Sequence, residues 1–256
     1  MTLPVPQTAL VTGAARRVGR AIACDLARAG WAVAVHYNSS PEDAAETARL
    51  IASAGGRVAT LQADLADETA VRGLVAAAER ALGPVTLLVN NASVFENDTA
   101  ATRDRAVWDA NMAVNLRAPF VLSQELAARL GGNGPGNIVN IVDQRVLNLT
   151  PFFTSYTVSK AALWTLTQTL AMAFAPGIRV NAIGPGPVLP SPRQTEEQFK
   201  RQYELLPLGR AVDPGEIAGA VRFILESPSM TGQIILLDAG QHLGWAHGAT
   251  RIRPEE

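Results

Sequence analysis

What most constrains this chain is a regular alternation of short apolar runs with longer amphipathic ones, with a glycine turn set into the first junction. TALVT (8–12), AVAVHY (32–37), RVATLQA (57–63), VTLLVN (85–90), NIVNIV (137–142), IRVNAI (178–183) and QIILLD (233–238) read as strands. Most are nearly continuous in apolar residues, the pattern of strands covered on both faces. Helical segments fall between them. In the first, Val18, Ile22 and Leu26 recur at i, i+4 and i+8 and share one face. The alternation predicts an α/β fold: one domain, residues 1–256, built on a doubly wound, mostly parallel sheet of about seven strands.

Size and composition agree. A chain of 256 residues, 48% hydrophobic, can bury a substantial core. A formal net charge of −1 gives no global attraction to nucleic acid or an acidic membrane, so neither is expected as a partner. No apolar run reaches the ~20 residues of a spanning helix. The start, MTLPVPQTALVTG, lacks the basic-then-apolar pattern of a signal peptide. The one cysteine, Cys24, reads as a small buried residue; it excludes an intrachain disulfide and suits a reducing compartment. A soluble, cytoplasmic protein is expected. GGNGPG (131–136) reads as a loop and the tail RIRPEE (251–256) as frayed. The longest excursion, 184–208, has a Pro/Gly-rich beginning and a short amphipathic piece, and reads as a lid over a ligand.

LVTGAARRVGRAIA (10–23) runs from strand through a glycine turn into a helix. Gly13 permits the tight turn and Gly19 permits close packing, so backbone N–H groups at the helix start can face a pyrophosphate. A dinucleotide site that selects NAD usually carries an acid after the second strand. Here His36, Tyr37, Asn38, Ser39 and Ser40 follow, with no acid before Glu42. Hydroxyls, an amide and a histidine could hydrogen-bond a 2′-phosphate, with charge from Arg16 or Arg17, so NADPH is expected as cofactor. Ser40 before Pro41 also reads as a helix N-cap. Asp64, at the end of the third strand, could accept from an adenine amino group. Asn91, Ala92 and Ser93 follow the fourth strand at the sheet edge where ligands of this architecture bind.

Tyr156 and Lys160 lie four residues apart at the start of a helical segment, which puts both on one face. A phenol titrates near 10 and is a poor acid at neutral pH; a neighbouring ammonium favours its ionised form. The pair is therefore a candidate proton donor. Tyr-x-x-x-Lys is common by chance, but it gains weight downstream of a dinucleotide loop.

Together these residues resemble the short-chain dehydrogenase/reductase family over almost the whole chain. The matches are TGAARRVG (12–19), NNAS (90–93), Asn115 in NLRAP, Tyr156 with Lys160, RVNAIGPG (179–186) and TGQIILLDAGQ (231–241). The resemblance implies a Rossmann-type fold, a nicotinamide cofactor, Tyr156 and Lys160 as catalytic residues, and Asn115 helping to hold a proton-relay water. It implies further cofactor contacts at Val18, Leu65, Pro185, Gly186 and Val188. It also implies a homotetramer, often paired through the last strand and neighbouring helices. His242 and Trp245 could then reach a neighbouring subunit's site or pack in an interface.

Two departures narrow the resemblance. Arg17 stands where the family's loop usually has glycine, and Asp143 stands where it usually has a catalytic serine. TGxxxRxG with this aspartate is similar to the pteridine reductase branch, which also carries an HYxxS-like turn and an aromatic residue shortly after NNAS, here Phe95. The resemblance implies a small pterin or folate-like substrate touching Arg17, Ser93, Phe95, Asp143, Tyr156, Gly186 and Pro187. The exchange at Asp143 makes chemical sense. Ketone reduction builds negative charge on oxygen, which a hydroxyl stabilises and a carboxylate opposes. Reduction of a dihydropterin C=N bond instead needs a proton at nitrogen, which a carboxyl group can supply or relay. Phe95 and the nicotinamide could sandwich a flat ring. Two alternatives stay open: a carbonyl reductase, disfavoured by an ionised Asp143, and a non-catalytic NADPH-binding sensor, disfavoured by the intact Asn115, Tyr156 and Lys160.

Overall fold

The computed structural model describes residues 7–131 and 134–244. Trp245, the tail 251–256, the first six residues and part of the 131–136 loop lie outside the described residues. Seven strands form one parallel sheet: β1 (Thr8–Val11), β2 (Ala32–Tyr37), β3 (Val58–Gln62), β4 (Val85–Asn90), β5 (Gly136–Ile141), β6 (Ile178–Pro185) and β7 (Ile234–Leu237). Their order is β3-β2-β1-β4-β5-β6-β7, with each neighbouring pair parallel. All seven apolar runs are strands. β6 alone extends beyond its expected end, because Gly184 and Pro185 pair with Leu236 and Leu237.

The helices are α1 (Arg17–Arg28), α2 (Pro41–Ser53), α3 (Glu68–Leu82), α4 (Arg105–Met112), α5 (Ala118–Arg129), α6 (Thr154–Ala173), α7 (Glu196–Glu204) and α8 (Pro214–Glu226). A π-helical turn, Ala113–Arg117, joins α4 to α5. Side chains alternate across a strand, so β1 feeds two cores. Ala9 and Val11 cluster with Ile22 and Leu26 of α1 and Ile217 and Val221 of α8. Leu10 clusters with Leu74 and Val75 of α3 and Val121 and Leu122 of α5. This two-faced burial is why the strands read as continuous apolar runs.

Helix starts carry local signals. Asp67 accepts the N–H groups of Thr69 and Ala70 ahead of α3, and Thr195 and Gln198 form a capping box on α7. Ser40 holds the N-cap position of α2, as expected, but its side chain makes no capping bond; Pro41 and the acidic Glu42 and Asp43 open that helix instead. Among the described residues no helix is long and apolar enough to cross a membrane. After β3 the chain returns to the other side of β1 to lay down β4. The crevice where the strand order reverses, at the carboxyl ends of β1 and β4, is where such sheets bind ligands.

Candidate active site

The loops after β1 and β4 are sewn together at that crevice. Thr12 Oγ1 accepts the N–H groups of Asn91 (2.9 Å) and Ala92 (3.0 Å), and Asn91 Nδ2 donates to the carbonyls of Thr12 (2.8 Å) and Gly13 (3.1 Å). Gly13 has φ +61°, and a Cβ on it would lie 2.9 Å from Ala92 Cα. A Cβ on Gly19 would lie 2.2 Å from the Gly13 carbonyl oxygen and 2.6 Å from Asn91 Nδ2. The two glycines therefore meet the close approach for which sequence selected them. Arg16, the N-cap residue of α1, makes no side-chain capping bond, which leaves the first N–H groups of the helix without a side-chain acceptor.

One cavity of about 520 Å³ runs along this crevice. Of the residues selected from sequence, Gly13, Arg16, Arg17, Val18, Gly19, His36, Tyr37, Asn38, Ser39, Ser40, Asp64 and Leu65 line one part of it. Asn91, Ala92, Ser93, Phe95, Asp143, Tyr156, Lys160, Pro185, Gly186, Pro187 and Val188 line the rest, and Asn115 lies outside the lining.

Two of these residues do other work than expected, and a third has a stacking partner. His36 is buried, its Nδ1 accepting the Gly13 N–H at 3.0 Å and its Nε2 facing the Ala63 carbonyl at 3.1 Å. Both ring nitrogens are taken, so His36 props the glycine turn and offers nothing to a 2′-phosphate. Burial pushes its pKa down to about 4, so the ring is neutral at pH 7. Arg17 has φ +55°, in the left-handed region. That explains why the family usually has glycine there. Its guanidinium donates to the carbonyls of Pro190 (2.8 Å) and Leu189 (3.1 Å), tying the glycine loop to segment 184–208. Phe95, expected to give one face to a flat ligand, stacks on Phe153, with centroids 4.5 Å apart and planes at 7°.

The catalytic candidates converge. Tyr156 Oη donates to Asp143 Oδ2 at 2.8 Å, and Asp143 Oδ1 accepts the Arg145 N–H at 2.8 Å. Lys160 is buried, its Nζ donating to the Ile141 carbonyl at 2.8 Å and lying 5.8 Å from the Tyr156 ring centroid. Burial pushes its pKa down to about 8, with the Asp143 charge opposing that shift. Asn115 sits in the π-helical turn, a form found mostly at functional sites. Its side chain is committed within the protein: Nδ2, with two N–H groups, lies within hydrogen-bond distance of Val94 O, Asn111 Oδ1 and Ser159 Oγ, and Oδ1 accepts the Val94 N–H at 2.8 Å. It anchors the loop that carries Ser93 and Phe95.

Several site residues escaped the sequence reading. Asp98 is buried and accepts the Ser155 N–H with both carboxylate oxygens, placing a negative charge at the N-terminus of α6. Phe153 adopts φ +56° and packs beneath Phe95. Arg193 reaches from segment 184–208 to Glu96 Oε2 (2.8 Å) and the Phe95 carbonyl (2.5 Å). Arg145, two residues after Asp143, lies over the aromatic rings. Only Arg145 had a readable signal, its nearness to Asp143. The others are joined by pairings of 50 or more positions. His242, expected near a subunit boundary, pairs its Nδ1 with Asp238 Oδ2 of its own chain at 2.8 Å.

Comparison with known proteins adds the following. A family model described as enoyl-(acyl carrier protein) reductase matches residues 13–242. A short-chain type dehydrogenase/reductase of Picea abies is 33% identical over 249 residues, covering 92% of each chain. L-rhamnose 1-dehydrogenase (NAD(P)(+)) of Azotobacter vinelandii is 33% identical, covering 93% of this chain and 97% of its own. Among solved structures, FolM alternative dihydrofolate reductase 1 from Brucella canis, complexed with NADP, is 49% identical with a TM-score of 0.91, covering 96% of this chain and 97% of its own.

Proposed function

Since this chain belongs to the short-chain dehydrogenase/reductase family, we propose that it is an NADPH-dependent reductase of a pterin or dihydrofolate C=N bond. The observation that carries this reading is the 2.8 Å hydrogen bond from Tyr156 Oη to Asp143 Oδ2. The phenol faces a carboxylate where carbonyl reduction would want a neutral donor. The likeness to the Brucella canis dihydrofolate reductase supports it; the sugar dehydrogenase relative bears on the family and leaves the substrate open.

The residues present fit the cofactor. Gly13 and Gly19 leave a cradle that a Cβ would fill, beside the uncapped start of α1. Tyr37, Asn38, Ser39 and Ser40 would hold the ribose end, and the turn after β2 lacks the acid that selects NAD. NADPH, when bound, supplies the hydride. The chain supplies the proton: Tyr156 is the donor, Asp143 sets its direction and relays or replaces its proton, and Lys160 holds positive charge beneath the ring. Ser93 and Phe95 would orient the flat substrate. Segment 184–208 acts as a lid, latched by Arg17 to the glycine loop and by Arg193 to the Phe95 loop.

The half-buried apolar edge strand β7 supports a homotetramer; a monomer in sedimentation at micromolar concentration would remove that part. The test of function is NADPH oxidation against a panel of dihydropterins, dihydrofolate and simple carbonyls. Turnover of the dihydropterins or dihydrofolate is expected. Turnover of carbonyls alone would replace this reading with the carbonyl reductase.

A further inference from the structure

The steps above leave Arg145 without a part. It lies on the 3-10 turn Gln144–Val146, directly after Asp143, and its own N–H caps that carboxylate. Its guanidinium carbon stands 4.8 Å from the Phe153 ring centroid, 5.2 Å from Phe95 and 6.0 Å from Tyr156. The rings form one cluster, with Phe95 and Tyr156 in a T-shaped pair at 4.7 Å. Arg145 Nη1 is buried and meets no hydrogen-bond acceptor among the described residues. A desolvated guanidinium nitrogen without an acceptor is costly, and ring faces offset only part of the loss. Packing alone does not explain it, since a leucine or methionine would fill the space without the cost.

The charge has a chemical use. Tyr156 must release a proton, and the groups facing it decide how readily. Asp143, from the end of β5, accepts from its hydroxyl and opposes ionisation. Lys160, on its own helix, favours ionisation from 5.8 Å. Asp98, from the loop after β4, is bound to the neighbouring Ser155 N–H. Phe199 and Gln202 of segment 184–208, which line the same cavity, are uncharged. Arg145 is a second cation, 6.0 Å from the ring centroid.

We propose that Arg145 is a positioning residue for the proton donor: it clamps the Phe95, Phe153 and Tyr156 rings, aims the Tyr156 hydroxyl at Asp143, and fixes a positive charge that eases loss of the proton. This rests on Tyr156 as donor, and holds for a pterin or a carbonyl substrate alike.

The experiment titrates the phenolate absorbance of Tyr156, taken as the difference between each protein and its Tyr156→Phe counterpart, so that Tyr37 and Tyr203 cancel. Arg145→Met should raise the midpoint by about one pH unit. Arg145→Lys should raise it less, and Asp143→Asn should lower it. The kcat for dihydropterin reduction at neutral pH should fall about tenfold in Arg145→Met, with KM moved less than kcat. An unmoved midpoint in natively folded Arg145→Met overturns the proposal. If that variant does not fold, the shorter, polar and neutral Arg145→Gln takes its place under the same criterion. A wild type that leaves dihydropterins untouched defeats the pterin reading alone, since the absorbance titration still decides the role of Arg145.

Discussion

Tyr156 and Asp143 share a hydrogen bond of 2.8 Å that joins the start of α6 to the end of β5. The carboxylate is held from its other oxygen by the Arg145 N–H, so both partners are fixed before a substrate arrives. A phenol facing a fixed carboxylate suits protonation of a ring nitrogen better than stabilisation of an oxyanion.

Asp143→Asn keeps the shape and one of the two acceptor oxygens but loses the acid. It should slow dihydropterin reduction by ~10²-fold under saturating NADPH. Asp143→Ser should lose the same activity and gain weak carbonyl reduction by restoring a neutral donor. Equal rates for wild type and Asp143→Asn across neutral pH would make Asp143 a bystander and favour the carbonyl reading.

Tyr156→Phe should lose most turnover and keep NADPH affinity, because it removes only the proton donor. Lys160 adds a pH dependence. Its ammonium, with a pKa lowered to about 8, loses its proton as pH rises through that value, and its support for the ionised phenol goes with it. The kcat should therefore decline on the alkaline side of about pH 8. Lys160→Met should abolish that limb and lower the neutral-pH rate. A wild-type profile that stays level through pH 9 would remove Lys160 from the proton path.

His36 should set part of the acid limit of stability. Its folded pKa, about 4, lies below the ordinary 6.5, so the folded state resists its protonation. The stability held by the neutral ring is complete above pH 6.5 and drains as pH falls toward 4. The loss reaches about 3 kcal/mol. His36→Gln, which cannot titrate, should unfold more easily at pH 7 yet show a flatter decline between pH 6.5 and 4 in urea melts. A parallel decline in both proteins would place the acid sensitivity elsewhere.

Arg17→Gly should separate backbone strain from side-chain contact. Glycine relieves a left-handed φ that costs an ordinary residue roughly 1–2 kcal/mol, while the two bonds to Leu189 and Pro190 are lost. Thermal stability should hold within a few degrees, and segment 184–208 should become more open to limited proteolysis, with a raised substrate KM. Unchanged proteolysis and KM would show that Arg17 does not hold the segment.

Much of this protein is legible in its sequence because the signals are local. Each apolar run is a strand, since burial on both faces of a parallel sheet demands continuous apolar residues. Gly13 and Gly19 stand where a Cβ would strike the neighbouring loop. Tyr156 and Lys160 share a helical face through their spacing alone, and Asp143 announces itself by replacing an expected hydroxyl.

What only the tertiary structure decided are contacts between residues far apart in the chain. His36 looks like a phosphate ligand in its turn; folding buries it between the Gly13 N–H and the Ala63 carbonyl, and both nitrogens are spent. Arg17 looks like a contact for phosphate or pterin until segment 184–208 brings two carbonyls to it. Phe95 gains its stacking partner only when folding brings the left-handed Phe153 against it. Arg145 gains its place only when the loop carrying Phe95 and the start of α6, with Phe153 and Tyr156, close around it. Periodicity and turn chemistry act over a few residues and can be read in order. Hydrogen-bond partners and desolvation depend on which distant segments share a space, and that is settled by packing.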